Sequence, residues 1–295
     1  MRAVTQDRYG APDVLRVTDV AVPEIGDDGV LVRVRAASLN AADWHMSMGT
    51  PFLVRMSNGF RRPTQPTPGI DLAGVIEAVG RDVTELRVGQ EVFGTRNGAL
   101  AEVVAGRVRN FAPKPEHLSF EEAAAIPVAA ETALQGLRDH GRLQPGQRVL
   151  LLGSGGGVGI YAVQLAKALG GHVTAETASR NVDMLTSLGA DEVVSYEETD
   201  ITRSGRRFDL ILDIGGYRST RALRRIVTSV LSKEGHEVVA MEDGIGAVLG
   251  RTVAVRCIAT NLDLVPEVSV DETEFLLREA QRIFGGDTAD TAEVG

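Results

Sequence analysis

Cysteine is almost absent. Cys257 is the only one in 295 residues, so no internal disulfide can form and a cysteine-built zinc or iron–sulfur site is excluded. Lying between Arg256 and Ile258, it reads as a small buried apolar residue, and a reducing, cytoplasmic setting is expected. Positive charge is also short. With 31 Lys and Arg against 40 Asp and Glu the net charge is −9, which argues against nucleic acid or an anionic membrane as the main partner. Two local basic clusters, Arg203–Arg207 and Arg221–Arg225, have no interleaved aromatics and read as solvated faces. The opening MRAVTQDRYGAPDVLRV has charges every few residues and no apolar core segment, so no signal peptide is expected. One uncharged run, Val149–Ala166, is about as long as a membrane span. Its internal glycines, with polar Gln164 and Lys167 at its end, fit a buried strand, a loop and a helix better.

The length suits two domains of ordinary size. Up to about residue 118 the chain reads as short strands separated by glycine and proline. These are Val30–Asn40, Gly74–Gly80, Glu91–Gly94 and Leu100–Ala105, with PTQPTPG (Pro63–Gly69) as punctuation. From Ser119 the pattern changes. SFEEAAAI opens with Ser119 as N-cap and Glu122 three residues on, a capping box.

A βαβα alternation follows. Strands are predicted at Val149–Leu152, His172–Thr177, Glu192–Tyr196, Phe208–Ile214 and His236–Met241. Helices are predicted at Val158–Leu169, Asn181–Leu188 and Thr220–Leu231. Short continuous apolar strands alternating with helices imply a doubly wound parallel sheet, hence an α/β fold. A last amphipathic helix is expected within Val270–Gly286, ahead of a polar tail. The expected domains are residues 1–118, 119–265 and a C-terminal segment 266–295.

Between the first strand of that alternation and its helix lies GSGGGVG, Gly153–Gly159. A flexible linker would have polar flanks and no periodicity. Here apolar VLLL runs into the glycines, and Val158, Ala162, Leu165 and Leu169 then repeat on one helical face. In that context Gly153 makes a tight turn, Gly156 or Gly157 lets a pyrophosphate approach the backbone, and Gly159 lets the helix pack close to the strand. Unpaired amides and the positive end of the helix dipole then face the phosphates. The other reading is a vestigial loop that has lost its ligand.

The end of the next strand, HVTAETASRN, selects the dinucleotide. An acid there holds the ribose hydroxyls of NADH, and a base suits the 2′-phosphate of NADPH. Glu176 speaks for the first, Ser179 and Arg180 for the second. NADPH is the favoured expectation, with NADH as the alternative.

Several longer stretches resemble the zinc-free, zeta-crystallin-like quinone oxidoreductases of the medium-chain dehydrogenase/reductase superfamily. They are Tyr9–Val17, Ser38–Gly49, Pro68–Gly80, Leu118–Leu137, Gln144–Gly170, Leu188–Tyr196 and Phe208–Gly216. The resemblance implies a GroES-like β-rich domain, a Rossmann domain, and a cleft between them for nicotinamide and a small-molecule substrate. It puts Asn40 near the nicotinamide as a catalytic candidate, and Trp44 and Phe52 on the substrate side. Thr132 would contact the cofactor, with Gly156, Gly157 and Val158 under the pyrophosphate. Ser179, Arg180 and Tyr196 would surround the adenosine phosphate end. Without the resemblance, Asn40 reads equally as a turn residue, Thr132 as a helix residue and Tyr196 as core.

The resemblance further implies zinc-independent, NADPH-dependent hydride transfer to a quinone or α,β-unsaturated carbonyl, and a homodimer paired through an edge strand within Arg251–Thr260. Without a Lewis acid, oxidation of an alcohol is hard. NAADWHM stands where zinc-dependent relatives carry a catalytic cysteine, and His45 reads as a cleft or surface residue. No metal is expected.

Three departures stand out. Phe52 replaces a substrate-facing tyrosine, Glu242 and Asp243 replace a glycine-rich turn, and the C-terminus is short. They keep open a non-redox enzyme, such as a cyclase or dehydratase, or an NADPH-responsive binding protein.

Overall fold

The structure, a computed structural model, describes residues 1–50, 52–215, 220–241 and 252–256. The expectations for Glu242, Asp243, Cys257 and the helix within Val270–Gly286 lie outside the described residues. Two compact units are present, meeting in the chain between Val128 and Ala129.

The first unit is built on antiparallel strands. β1 (Arg2–Thr5) pairs with β2 (Arg16–Asp19). β3 (Gly29–Ala37) is followed by helices α1 (Ala41–Met48) and α2 (Leu53–Asn58). Then come β4 (Asp71–Val79), β5 (Glu91–Thr95), β6 (Val103–Arg107), β7 (Phe111–Pro113) and the short helix α3 (Phe120–Ala124). The last five strands form one sheet in the order β6-β3-β4-β5-β7. Alternation explains its inner face. Val30 and Val32 are buried while Arg33 and Arg35 stay exposed, and they pack with Leu72, Ile76, Val92 and Phe111. Each such fully buried aliphatic side chain contributes about 1.5–3 kcal/mol of burial free energy.

Three strand expectations are corrected here. β3 stops at Ala37 rather than Asn40, because Asn40 becomes the N-cap of α1. β4 begins at Asp71, three residues ahead of Gly74, since Asp71 is already paired with Thr95 of β5. β6 is shifted to Val103–Arg107, pairing with Gly29–Arg33, and Ala101 makes only an isolated bridge to Ala3. The Ser119–Glu122 capping box is present: the Glu122 amide donates to Ser119 Oγ at 3.1 Å, and the Ser119 amide donates to Glu122 Oε2 at 2.8 Å. Helix α4 (Pro127–Leu134) follows.

The second unit is a parallel sheet. Its strands are β8 (Arg148–Leu152), β9 (His172–Thr177), β10 (Glu192–Ser195), β11 (Phe208–Asp213), β12 (Leu231–Met241) and β13 (Thr252–Arg256). Helices α5 (Gly157–Ala168), α6 (Val182–Ser187) and α7 (Thr220–Val230) alternate with them. The order β10-β9-β8-β11-β12-β13 is that of a Rossmann sheet, reversing direction between β8 and β11. Val149, Leu150, Leu151 and Leu152 are fully buried, as a central strand covered on both faces requires. α5 is held from behind: both carboxylate oxygens of Asp191 accept from Lys167 Nζ in its last turn at 2.8 Å, while one also accepts the Val173 amide of β9.

Candidate functional site

β8 ends at Leu152, β9 at Thr177 and β10 at Ser195, so three neighbouring parallel strands deliver their C-terminal ends side by side. The glycine loop stands over the first. Gly153 has φ +79°, a left-handed conformation that only glycine adopts freely, and a Cβ there would press on the Gly215 backbone. Ser154 is buried, donating its amide to the Glu176 carbonyl at 3.0 Å and its hydroxyl to the Leu151 carbonyl at 2.8 Å. A Cβ at Gly159 would collide with the Ser154 backbone. The close approach that Gly159 permits is therefore to the loop itself, not to the strand.

Gly156 differs. It is the N-cap of α5, with extended backbone at φ −100° and ψ 179°, and a Cβ built on it would meet nothing within 4 Å among the described residues. At Gly157 the only neighbour among the described residues would be the Ala129 Cβ, at 3.9 Å. No described residue fills this space at the start of a twelve-residue helix. Gly157 and Val158 are its first residues, where amides have no intrahelical acceptor. Shape and donors both fit a diphosphate.

At the end of β9 a 3-10 turn holds Ser179, Arg180 and Asn181. Tyr196, just past β10, donates its amide to the Thr177 carbonyl at 3.0 Å, which brings it beside that turn. It is 51 % exposed, so the core reading of Tyr196 is wrong: β10 has already ended at Ser195. Glu176, which in the sequence competes with Arg180 for the ribose, is buried within β9. Two acids that belong to no sequence motif, Glu197 and Glu198, flank Ser179. Its amide donates to Glu197 Oε2 at 3.0 Å, and its hydroxyl donates to Glu198 Oε1 at 3.1 Å.

In the first unit, Asn40 sits between two buried carboxylates. Its backbone amide donates to Asp43 Oδ2 at 2.8 Å, and its Nδ2 donates to Asp71 Oδ2 at 3.0 Å. Asp71 also accepts from Ser38 Oγ at 3.3 Å and from the Val128 amide at 3.2 Å. Burial pushes the Asp71 carboxyl up to about 7 against these hydrogen bonds, with the nearby Asp43 charge adding to the rise. Burial raises Asp43 to about 6, opposed by its bonds to Asn40 and the Gly69 amide. The turn reading of Asn40 thus gives way to a helix cap whose carboxamide is clamped.

Trp44 lies on α1, exposed, edge-on to the His45 ring with centroids 5.0 Å apart. Phe52 begins α2, exposed, edge-on to Phe60 at 5.3 Å. His45 Nδ1 is 2.8 Å from the Thr50 carbonyl. Among the described residues no three His, Cys, Asp or Glu side chains gather as a metal would require. Thr132 is buried on α4. No helix among the described residues is long and apolar enough to cross a membrane.

The Alcohol dehydrogenase GroES-like domain family matches residues 26–118, and the Zinc-binding dehydrogenase family matches residues 157–239. The chain belongs to the zinc-free quinone oxidoreductases of the medium-chain dehydrogenase/reductase superfamily. A 2-methylene-furan-3-one reductase of Solanum lycopersicum is 37% identical over 254 residues, 82% of this chain and 62% of that protein. An NADPH-dependent alkenal/one oxidoreductase of Arabidopsis thaliana, chloroplastic, is 34% identical over the same shares. The chain thus spans 62% of the length of both. Among solved structures, the quinone oxidoreductase from Coxiella burnetii superposes with a TM-score of 0.81 at 28% identity, covering 96% of this chain and 88% of that one. The family fold, GroES-like plus Rossmann, is the one described above.

Proposed function

We propose that this chain is an NADPH-dependent, zinc-independent reductase that delivers hydride to a quinone or an α,β-unsaturated carbonyl. The observation that carries this reading is the open cradle at Gly156, set at the mouth of α5. The activities for which the tomato and Arabidopsis relatives are named support the acceptor class. When bound, the nicotinamide supplies the hydride. The chain's part is to grip and to aim.

In this proposal Gly156, Gly157 and Val158 hold the diphosphate through backbone amides, and Thr132 is a further cofactor contact. Ser179, Arg180 and Tyr196 take the adenosine end. Asn40, its carboxamide fixed by Asp71, is the polar group offered to the nicotinamide. Trp44 and Phe52 offer apolar surface to the acceptor. Such an acceptor is already electrophilic, so proximity and alignment meet most of the chemical demand. Phe52 has no proton to give, so protonation after hydride transfer falls to water or another group. Strand β13, the sheet's last strand on that side among the described residues, supports a homodimer, since an unpaired edge is a liability, and the single cysteine supports a cytoplasmic setting.

The test is to titrate NADPH and NADH by fluorescence, then follow NADPH absorbance with a panel of quinones and enones. Turnover is expected on at least one acceptor of these classes. Tight binding with no turnover on any of them would return the non-redox or sensing readings.

A further inference from the structure

The adenosine end of the candidate site has a feature that works against a phosphate. Ser179 offers two donors at the end of β9, and both are taken. Its amide donates to Glu197 Oε2 at 3.0 Å, and its hydroxyl donates to Glu198 Oε1 at 3.1 Å. A relay sustains the arrangement. The Glu197 amide donates to Ser195 Oγ at 3.2 Å, and Ser195 Oγ lies 2.8 Å from Ser179 Oγ. With the Ser195 hydroxyl donating to Ser179 Oγ, the Ser179 proton points to Glu198 and every hydroxyl is used once. The Ser179 bonds, with the Arg180 guanidinium nearby, hold the Glu197 carboxyl below the usual carboxylate range. It is charged at neutral pH.

We propose that Glu197 and Glu198 are the residues that set discrimination between the two nicotinamide dinucleotides, by occupying the Ser179 donors that an adenosine 2′-phosphate needs. The proposal rests on the dinucleotide reading above and refines it. A 2′-phosphate brings between one and two negative charges and only acceptor oxygens. To reach Ser179 it must displace two carboxylates, and it then lies beside them. A ribose 2′-hydroxyl is neutral and can donate to a carboxylate, the contact by which acidic residues hold NADH in such folds. Arg180 attracts the phosphate, but its field is already shared with Glu197. The two effects oppose each other, so the intact chain prefers NADPH over NADH only narrowly.

The experiment uses the full chain and the double variant Glu197→Gln/Glu198→Gln, which keeps shape and hydrogen-bond acceptors while removing charge. Calorimetric titration with adenosine 2′,5′-bisphosphate and with AMP isolates the 2′-phosphate from the rest of the cofactor. NADPH and NADH titrations then repeat the comparison. The variant is expected to bind the bisphosphate about threefold to tenfold more tightly, the scale of exposed charge pairs, with AMP changed by less than about twofold. The gain should shrink at high salt, because the groups are exposed. An unchanged or weaker bisphosphate affinity, or an equal gain for AMP, overturns the proposal while leaving dinucleotide binding intact. If neither NADPH nor NADH binds the unaltered chain, the dinucleotide reading itself falls, and the inference with it.

Discussion

The carboxamide of Asn40 donates to a carboxylate oxygen of Asp71 at 3.0 Å, across 31 residues of chain. The same carboxylate gathers Ser38 Oγ and the Val128 amide. One buried acid therefore fixes the end of β3, the start of β4 and the first turn of α4. Asp71→Ala should leave those donors without an acceptor and cost on the order of 1–3 kcal/mol. Asp71→Asn keeps an acceptor and should cost less. Urea unfolding of the two variants checks the ranking.

Asp43 and Asp71 also give stability a pH dependence of definite sign. Both bind protons more tightly folded than unfolded, with Asp71 raised from 3.8 to about 7 and Asp43 from 3.8 to about 6. Their contribution is full below the unfolded value and disappears as pH climbs through 4 to 7. Measured against Asp71→Asn, the unaltered protein should lose stability by on the order of 1–3 kcal/mol between pH 4.5 and 8. A flat difference across that window refutes the burial argument.

Two neighbouring glycines should respond in opposite ways. Gly156→Ala fills space that no described residue occupies, on a backbone any residue adopts, so the melting temperature should hold while dinucleotide affinity drops roughly tenfold or more, the scale of lost bonds to a charged group. Gly159→Ala collides with the Ser154 backbone and should lower the melting temperature itself. Thermal scans paired with NADPH titration separate the two outcomes.

Arg180→Ala should weaken NADPH about tenfold, on the scale of a charge-assisted bond to phosphate, and leave NADH nearly unchanged. Parallel fluorescence titrations read this directly. Equal losses for both cofactors would remove the 2′-phosphate assignment.

Much of the second unit is legible in the sequence because its signals are local. Val149–Leu152 is continuously apolar, Gly153–Gly159 breaks the pattern, and the helix face repeats at Val158, Ala162 and Leu165. The antiparallel unit is read less well. Its strand ends depend on cross-strand register: Asp71 belongs to β4 through Thr95, which no local pattern reveals. The same holds for the clamp on Asn40, whose partners come from Asp71 and Asp43 on different elements. One signal was available, since Asp71 is a lone acid between Ile70 and Leu72. Glu197 and Glu198 stand next to Tyr196 in plain view, but their grip on Ser179 exists only because β9 and β10 lie in register.

The clasp that Asp191 places on Lys167 bears on more than local cohesion. The dozen residues of α5 form a rod about 18 Å long, fastened at its rear. A swivel of one degree about that fastening carries the muzzle sideways by about 0.3 Å, and catalytic constellations tolerate errors of only about 0.5 Å. A surface ion pair far from any chemistry thus acts as the gunsight's rear post, and loosening it would blur the aim without touching the target.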